Sequence, residues 1–377
     1  MPFLFEEYIE EARKKQRSEA FIESTVQYAK KLDDNGLPVI FSRAHFASLV
    51  GMPSREIFTI LHYRVTQYVQ FSIKKKNGGL RHIMTPEKKL LYLQKWINKN
   101  ILQQVSVLDC CTAFVPGTSL ATNAYTHRNA HRILKVDLTR FFDTINEKRV
   151  FGLFKYLGYH PNVAYDLAQL TTAFPSYQYW KSQSLKDLRQ TVEKITFYDA
   201  FLPQGAPTSP QLANLIAKPL DSRLLMLSEK FGCRYSRYAD DLVFSTNKPE
   251  GKLPPLHLVK RIIESEGFLV NEDKTAYLKK GMKQYVTGLT VTHGFHVSKK
   301  QRQEIYKHLY YARKYGPFEH LKRWTTDNWG DERKTPYGFK DWLLGKISFI
   351  NSIDRKNGIR MLDEFNKIHW GFECEDG

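Results

Sequence analysis

Cysteine is scarce in this chain: Cys110, Cys111, Cys233 and Cys374 are the only four among 377 residues, and none is spaced as a CxxC pair. That excludes a disulfide framework and a zinc ribbon, and leaves reduced thiols of a cytosolic, cytoplasmic protein. Long apolar runs are lacking too; none approaches the roughly 20 residues of a bilayer-spanning helix. The opening MPFLFEEYIEEARKK carries acids where a secretory leader needs an apolar stretch. Internal repeats and low-complexity linkers are absent. Acids are in deficit: 39 Asp+Glu against 57 Lys+Arg leave a net charge of +18. An excess that large opposes compaction through self-repulsion, so it ordinarily serves a polyanion. Nucleic acid is the first reading. An anionic membrane surface is a weak second, so no membrane partner is expected.

What the chain does have is aromatic side chains and an irregular interleaving of helical and alternating patterns. Residues 1–70 read as helices: one stretch over 1–35, then two more over 42–66, broken at Gly51-Met52-Pro53. Residues 71–84 alternate about Asn77-Gly78-Gly79, the signature of a β-hairpin. A helix is expected over 87–104, a strand over 131–138, and a helix capped by Asn146. Residues 211–230 read as one helix kinked at Pro219. Two short strands are expected over 233–247, meeting at Asp240-Asp241, and a hairpin over 284–297, turning at His293-Gly294. The remainder, 292–377, reads as mostly helical. Such mixing argues for an α+β fold rather than a doubly wound sheet.

The candidate chemistry lies in carboxylates with apolar neighbours. Asp137 ends a strand and precedes Phe141-Phe142, and Asp240-Asp241 sit within Tyr-Ala-Asp-Asp. Two adjacent acids at a hairpin tip repel unless a cation neutralises them, and Mg²⁺ favours carboxylate oxygens. Taken alone, the pair fits solvated turn acids equally well. Residues 71–100 hold eight Lys/Arg and one acid, Glu87, a sign bias unlike an ordinary solvated face. Residues 292–360 carry 15 Lys/Arg against 7 Asp/Glu, interleaved with Tyr306, Tyr310, Tyr311, Tyr315 and Trp324. That mixture suits phosphate contact and base stacking, although the tyrosines also fall at helical core spacing.

Four segments in order, across roughly 71–291, resemble the motifs of reverse transcriptases. Val136–Asp143 (VDLTRFFD) resembles the first palm motif. LPQGAPTSP at 202–210 resembles the segment lying against template and nucleotide. YADD at 238–241 resembles the YxDD signature, and NEDKT at 271–275 the lysine motif. The resemblance implies a right-hand polymerase: residues 71–291 forming fingers and palm, 292–377 a mainly helical, RNA-binding thumb. It implies that Asp137, Asp240 and Asp241 hold two Mg²⁺ ions, or Mn²⁺ in their place. Lys274 would serve the pyrophosphate leaving group, and Arg81 with Lys74 and Lys76 would grip the triphosphate. Phe142 would exclude a ribose 2′-hydroxyl, with core packing as its other reading, and Gln204 and Gly205 would touch the nucleotide.

Two further segments are similar to elements of retron reverse transcriptases: Asn123-Ala124-Tyr125-Thr126-His127 to their NAxxH, and Val286-Thr287-Gly288 to their VTG. The resemblance implies that Asn123, His127, Val286, Thr287 and Gly288 bind the RNA; a buried polar pair is the alternative for Asn123 and His127. The retron resemblance implies a cognate structured noncoding RNA as partner and template. It also implies priming from an internal guanosine 2′-hydroxyl, a branched RNA–DNA product, a separate effector protein, and antiphage defence. Residues 174–201 and 325–340 read as insertions relative to that family. The alternatives are a group II intron-like reverse transcriptase and a catalytically silent RNA-binding scaffold. Intact carboxylates argue against the scaffold.

Overall fold

The computed structural model describes residues 3–74, 80–181, 199–324 and 335–371. Lys76, the expected hairpin tip at 77–79, and most of the two insertions lie outside the described residues.

The N-terminal region is helical, as expected: α1 Phe5–Lys14, α2 Glu19–Asp33, α3 Arg43–Leu49 and α4 Ser54–His62. The hydroxyls of Ser18 and Ser42 accept from Phe21 N and His45 N, capping α2 and α3. Gly51 supplies the positive φ of +65° between α3 and α4. The hairpin starts earlier than residue 71, pairing β1 Tyr68–Lys74 with β2 Leu80–Pro86. Next, α5 Lys88–Asn100 buries Leu90, Leu93 and Ile97.

The centre is a four-stranded antiparallel sheet in the order β4-β5-β3-β6. Its strands are β3 Arg132–Leu138, β4 Arg234–Tyr238, β5 Asp241–Thr246 and β6 Val270–Lys279. Side chains alternate across a sheet, and here the two faces feed different cores. Leu134, Val136 and Leu138 of β3 and Leu242 and Phe244 of β5 enter a large core. That core is closed by α7 Glu147–Tyr156, α8 Pro161–Thr171, α10 Ser209–Ile216, α11 Lys218–Lys230 and α12 Leu256–Ser265; the short α9 spans Tyr177–Lys181. Ile133 and Val243, on the other face, enter a second core with Ala124 of α6 Leu120–Thr126.

Asn146 caps α7 as expected, accepting from Arg149 N. The expected single helix over 211–230 is instead two, parted at Ala217, and Pro219 lies in the first turn of α11. In that turn the missing N–H has no intrahelical partner to lose, so proline starts a helix there rather than kinking one. The expected hairpin over 284–297 turns earlier, at Thr287-Gly288. It joins β7 Tyr285–Val286 to β8 Leu289–Thr290, and both turn residues have positive φ, +49° and +81°. His293-Gly294 only closes the later Thr290–His296 bridge.

The C-terminal region is helical: α13 Lys299–Tyr315, α14 Pro317–Trp324, α15 Pro336–Ile353 and α16 Arg355–Asn366. Its core takes in Val286, Leu289 and Val291 together with Ile305, Leu309, Phe339 and Met361. The expected boundary at 291/292 therefore falls inside one continuous core. On α13, Ile305, Leu309 and Ala312 face inward, while Tyr310 and Tyr315 are exposed with Lys314 beside both rings. The exposed tyrosines thus follow the surface reading, not the core one. Among the described residues no helix is long and apolar enough to cross a membrane.

Candidate active site

Strand pairing brings the three carboxylates to one end of the sheet. Asp137 on β3 lies directly opposite Asp241 on β5. Both have the parity of Lys135 and Val243, so they stand on the face turned away from the large core. Asp240 lies in the tight turn between β4 and β5, and its carbonyl accepts from Leu138 N at 2.9 Å, fixing the turn against β3. The turn bends at Ala239, whose φ is +54°. A side chain with a Cβ rarely adopts that conformation, and holding it costs about 1–3 kcal/mol.

Lys274 reaches this end because β6 bulges. The β3–β6 register runs from Lys135↔Ala276 to Asp137↔Asn271, so residues 272–275 have no counterparts on β3. Thr275 Oγ1 donates to Asn271 O at 2.9 Å within the bulge. The Lys274 ammonium then donates to both Asp137 oxygens, at 3.1 and 3.2 Å, and Asn271 Nδ2 donates to Oδ1 at 2.9 Å. Lys135 Nζ stands 3.9 Å from Asp241 Oδ1.

The electrostatics are those of crowded acids. Burial, then the charges of Asp137 and Asp241, push the Asp240 carboxyl up to about 6. Burial also raises Asp241, against the pull of Lys135. Among the described residues no three His, Cys, Asp or Glu side chains converge closely enough to enclose a metal ion by themselves. That is compatible with Mg²⁺, which usually takes one or two carboxylates and completes its shell with substrate phosphates and water.

Residues 73–291 match the family model described as reverse transcriptase (RNA-dependent DNA polymerase). The retron Ec73 reverse transcriptase of Escherichia coli is 32% identical over 251 residues, 64% of this chain and 74% of that protein. This chain belongs to the retron-type reverse transcriptases. The retron Mx162 reverse transcriptase of Myxococcus xanthus is 34% identical over 271 residues, 68% of this chain but 54% of that protein. The retron Ec86 reverse transcriptase of E. coli is 29% identical over 346 residues, 90% of this chain and 92% of that protein. The chain thus spans little more than half the length of one Myxococcus relative, and 62% of another, the retron Mx65 reverse transcriptase.

Around the carboxylates of this reverse transcriptase, the other expected site residues divide. On the hairpin, Arg81 faces Ile73 and Phe71 faces Ile83 across the strands, so all four share one face. A Cβ built on Gly205 would meet Ile83 Cγ2 and Met84 O, both at 3.0 Å, so that face borders the LPQG segment. Lys74 has the opposite parity and stands on the other face, away from Arg81. The register thus separates the faces of the two cations expected to act together.

The segment carrying Gln204 and Gly205 is bound to the hairpin by Met84 N donating to Gln204 O at 2.8 Å. Gly205, at φ +122°, is required by this close backbone contact with β2. Phe142 is half-buried and packs edge-on against Phe141, with centroids 5.5 Å apart. It has a core contact and an accessible part together.

Asn123 and His127 are fully buried, so the expectation that their side chains contact RNA is corrected. His127 lies between two serines, Nδ1 2.7 Å from Ser245 Oγ and Nε2 2.7 Å from Ser236 Oγ. Asn123 Oδ1 accepts from Thr112 and from Ser236, at 3.0 and 2.6 Å. Burial, with Arg234's charge adding to it, pushes His127 down to about 3, so it stays neutral. This network sews α6 to β4 and β5. Val286 is also fully buried, whereas the Thr287-Gly288 turn reaches the surface. One residue the sequence patterns do not single out is Arg237, fully buried behind the YADD turn and paired with Asp221.

Proposed function

We propose that this chain is an RNA-directed DNA polymerase that copies part of a cognate structured noncoding RNA into single-stranded DNA. The observation that carries the reading is Asp137 in register with Asp241, with Asp240 in the adjoining turn and Lys274 on Asp137. All-carboxylate donors suit a hard cation, Mg²⁺ or Mn²⁺. When bound, such a pair of cations supplies charge stabilisation to the attacking and departing oxygens of phosphoryl transfer. Asp137, Asp240 and Asp241 would hold them.

The chain's own residues do the positioning. Arg81, on the hairpin face bordering Gly205, offers a planar fork that matches phosphate oxygens. Lys274 would donate to the departing pyrophosphate. The accessible part of Phe142 would crowd a ribose 2′-hydroxyl, and Gln204 would lie beside the incoming nucleotide. The exposed Tyr310, Lys314 and Tyr315 of α13, within the proposed thumb, would hold RNA by stacking and charge, and the Thr287-Gly288 turn would add backbone contact.

Kinship with retron enzymes supports the finer reading: priming from an internal guanosine 2′-hydroxyl, a branched RNA–DNA product, and antiphage defence with a separate effector protein. The test supplies the cognate RNA, Mg²⁺ and dNTPs without a primer. The expected product is DNA covalently joined to RNA, released as free DNA by a nuclease that cuts 2′–5′ bonds. Extension of supplied 3′-hydroxyl primers alone, with no branch on the RNA, would refute the priming while leaving the polymerase.

A further inference from the structure

Arg237 sits on β4 one residue before the YADD segment, and its side chain is fully buried. A guanidinium has five N–H donors in a rigid fork, and here five acceptors meet them. Nε and Nη2 take the two oxygens of Asp221, at 2.8 and 2.7 Å. Nη2 also donates to Cys111 Sγ at 3.2 Å. Nη1 donates to Asn214 Oδ1 at 3.1 Å and to the carbonyl of Ala239 at 3.1 Å. Asp221 accepts as well from Tyr235 Oη at 2.9 Å, and Asn214 Nδ2 donates to Ala113 O at 2.8 Å.

A buried pair of this kind is weak evidence for stability, because desolvating two charges offsets most of their attraction. What it supplies here is direction. The acceptors come from α10, α11, the 111–113 segment and the catalytic turn itself. The Ala239 carbonyl is the one backbone group of the turn that the fork holds, and Ala239 carries the left-handed φ of +54°. Rotation of the 239–240 peptide would swing both that carbonyl and the Asp240 carboxylate.

We propose that Arg237, oriented by Asp221, is a positioning residue that fixes the Ala239–Asp240 peptide and so aims the Asp240 carboxylate. It touches no substrate; it acts through the turn. The inference rests on the polymerase reading given above.

The experiment is primer extension on an RNA template with the full chain, reading kcat, KM for dNTP, the half-saturating Mg²⁺ concentration and the thermal midpoint. Wild-type activity abolished by Asp240→Asn tests the polymerase reading by itself; the Arg237 variants test the brace. Arg237→Lys keeps the charge facing Asp221 but lacks the fork that reaches Ala239. It should lower kcat by about 100-fold, the scale of a small misplacement at a reacting centre. It should also raise the Mg²⁺ requirement and leave KM for dNTP nearly unchanged. The paired replacement Arg237→Met with Asp221→Leu removes both charges in similar volume, a swap that buried ion pairs often tolerate. It should give a folded protein with the same loss of kcat. A purely structural role would lower the thermal midpoint without moving the Mg²⁺ requirement. Wild-type kcat and Mg²⁺ requirement in either folded variant would overturn the proposal. So would loss of the fold in both, which would make the brace structural only.

Discussion

The crowding of Asp240 makes a prediction that needs no catalysis to test. Its carboxyl is pushed from 3.8 to about 6 by burial and by Asp137 and Asp241. The folded-state value lies above the unfolded one, so the folded protein binds more protons between those two values. Stability is therefore unpenalised below about pH 4, falls as pH rises through the window, and carries the full cost above about pH 6. A displacement of that size corresponds to about 3 kcal/mol, and partial solvation brings the cost nearer to about 2 kcal/mol. Asp240→Asn mimics the protonated acid. In EDTA at pH 7 the variant should thus be more stable than wild type by about 2 kcal/mol. The gap should close as pH is lowered from 6 toward 4. Mg²⁺ should stabilise the wild type and leave the variant unmoved, narrowing the gap from the other side. Denaturant titrations of both proteins across that pH range, with and without Mg²⁺, are the assay. A variant less stable than wild type in EDTA at pH 7, or a gap indifferent to pH, would refute the reasoning.

Three further outcomes are expected. Phe142→Ala should raise ribonucleotide over deoxyribonucleotide incorporation by about tenfold or more, measured as the ratio of kcat/KM values on one template; an unchanged ratio leaves Phe142 with core packing alone. Gly205→Ala should destabilise the fold by about 1–3 kcal/mol in denaturant, since its φ of +122° disfavours a Cβ and Met84's carbonyl blocks the space. His127→Ala should cost about 1–3 kcal/mol by orphaning the buried Ser245 hydroxyl and leaving Ser236 with Asn123 alone, yet leave the RNA affinity of the folded protein unchanged; a selective loss of affinity would restore the RNA-contact reading.

The motif-bearing elements are legible from sequence because each is a local pattern. The YADD hairpin, the Asp137 strand and the Asn146 cap follow from alternation, turn chemistry and capping within a few residues. The three acids are legible as candidates, but their meeting is not, since it depends on β3 pairing with β5 across a hundred residues of chain. Lys74 and Arg81 look alike as a run of cations, and only the hairpin register separates their faces. The NEDKT lysine reaches Asp137 through a bulge, a feature with no local hydrophobic signature. NAxxH is expected as an RNA contact from resemblance alone, and the buried-pair alternative prevails only once its partners Thr112, Ser236 and Ser245 are known. Arg237 escapes notice for a similar reason: its partner Asp221 lies on another element.

The most direct test of the account is DNA synthesis on a primed RNA template by the wild-type chain and by Asp137→Asn, Asp240→Asn and Asp241→Asn. The account predicts synthesis that requires Mg²⁺ or Mn²⁺ in the wild type. It predicts no synthesis in any of the three variants, with template binding nearly intact in all of them because distributed cations hold the phosphates. Synthesis that persists in any one variant, or a wild type that binds the template but extends nothing with either cation, would contradict it.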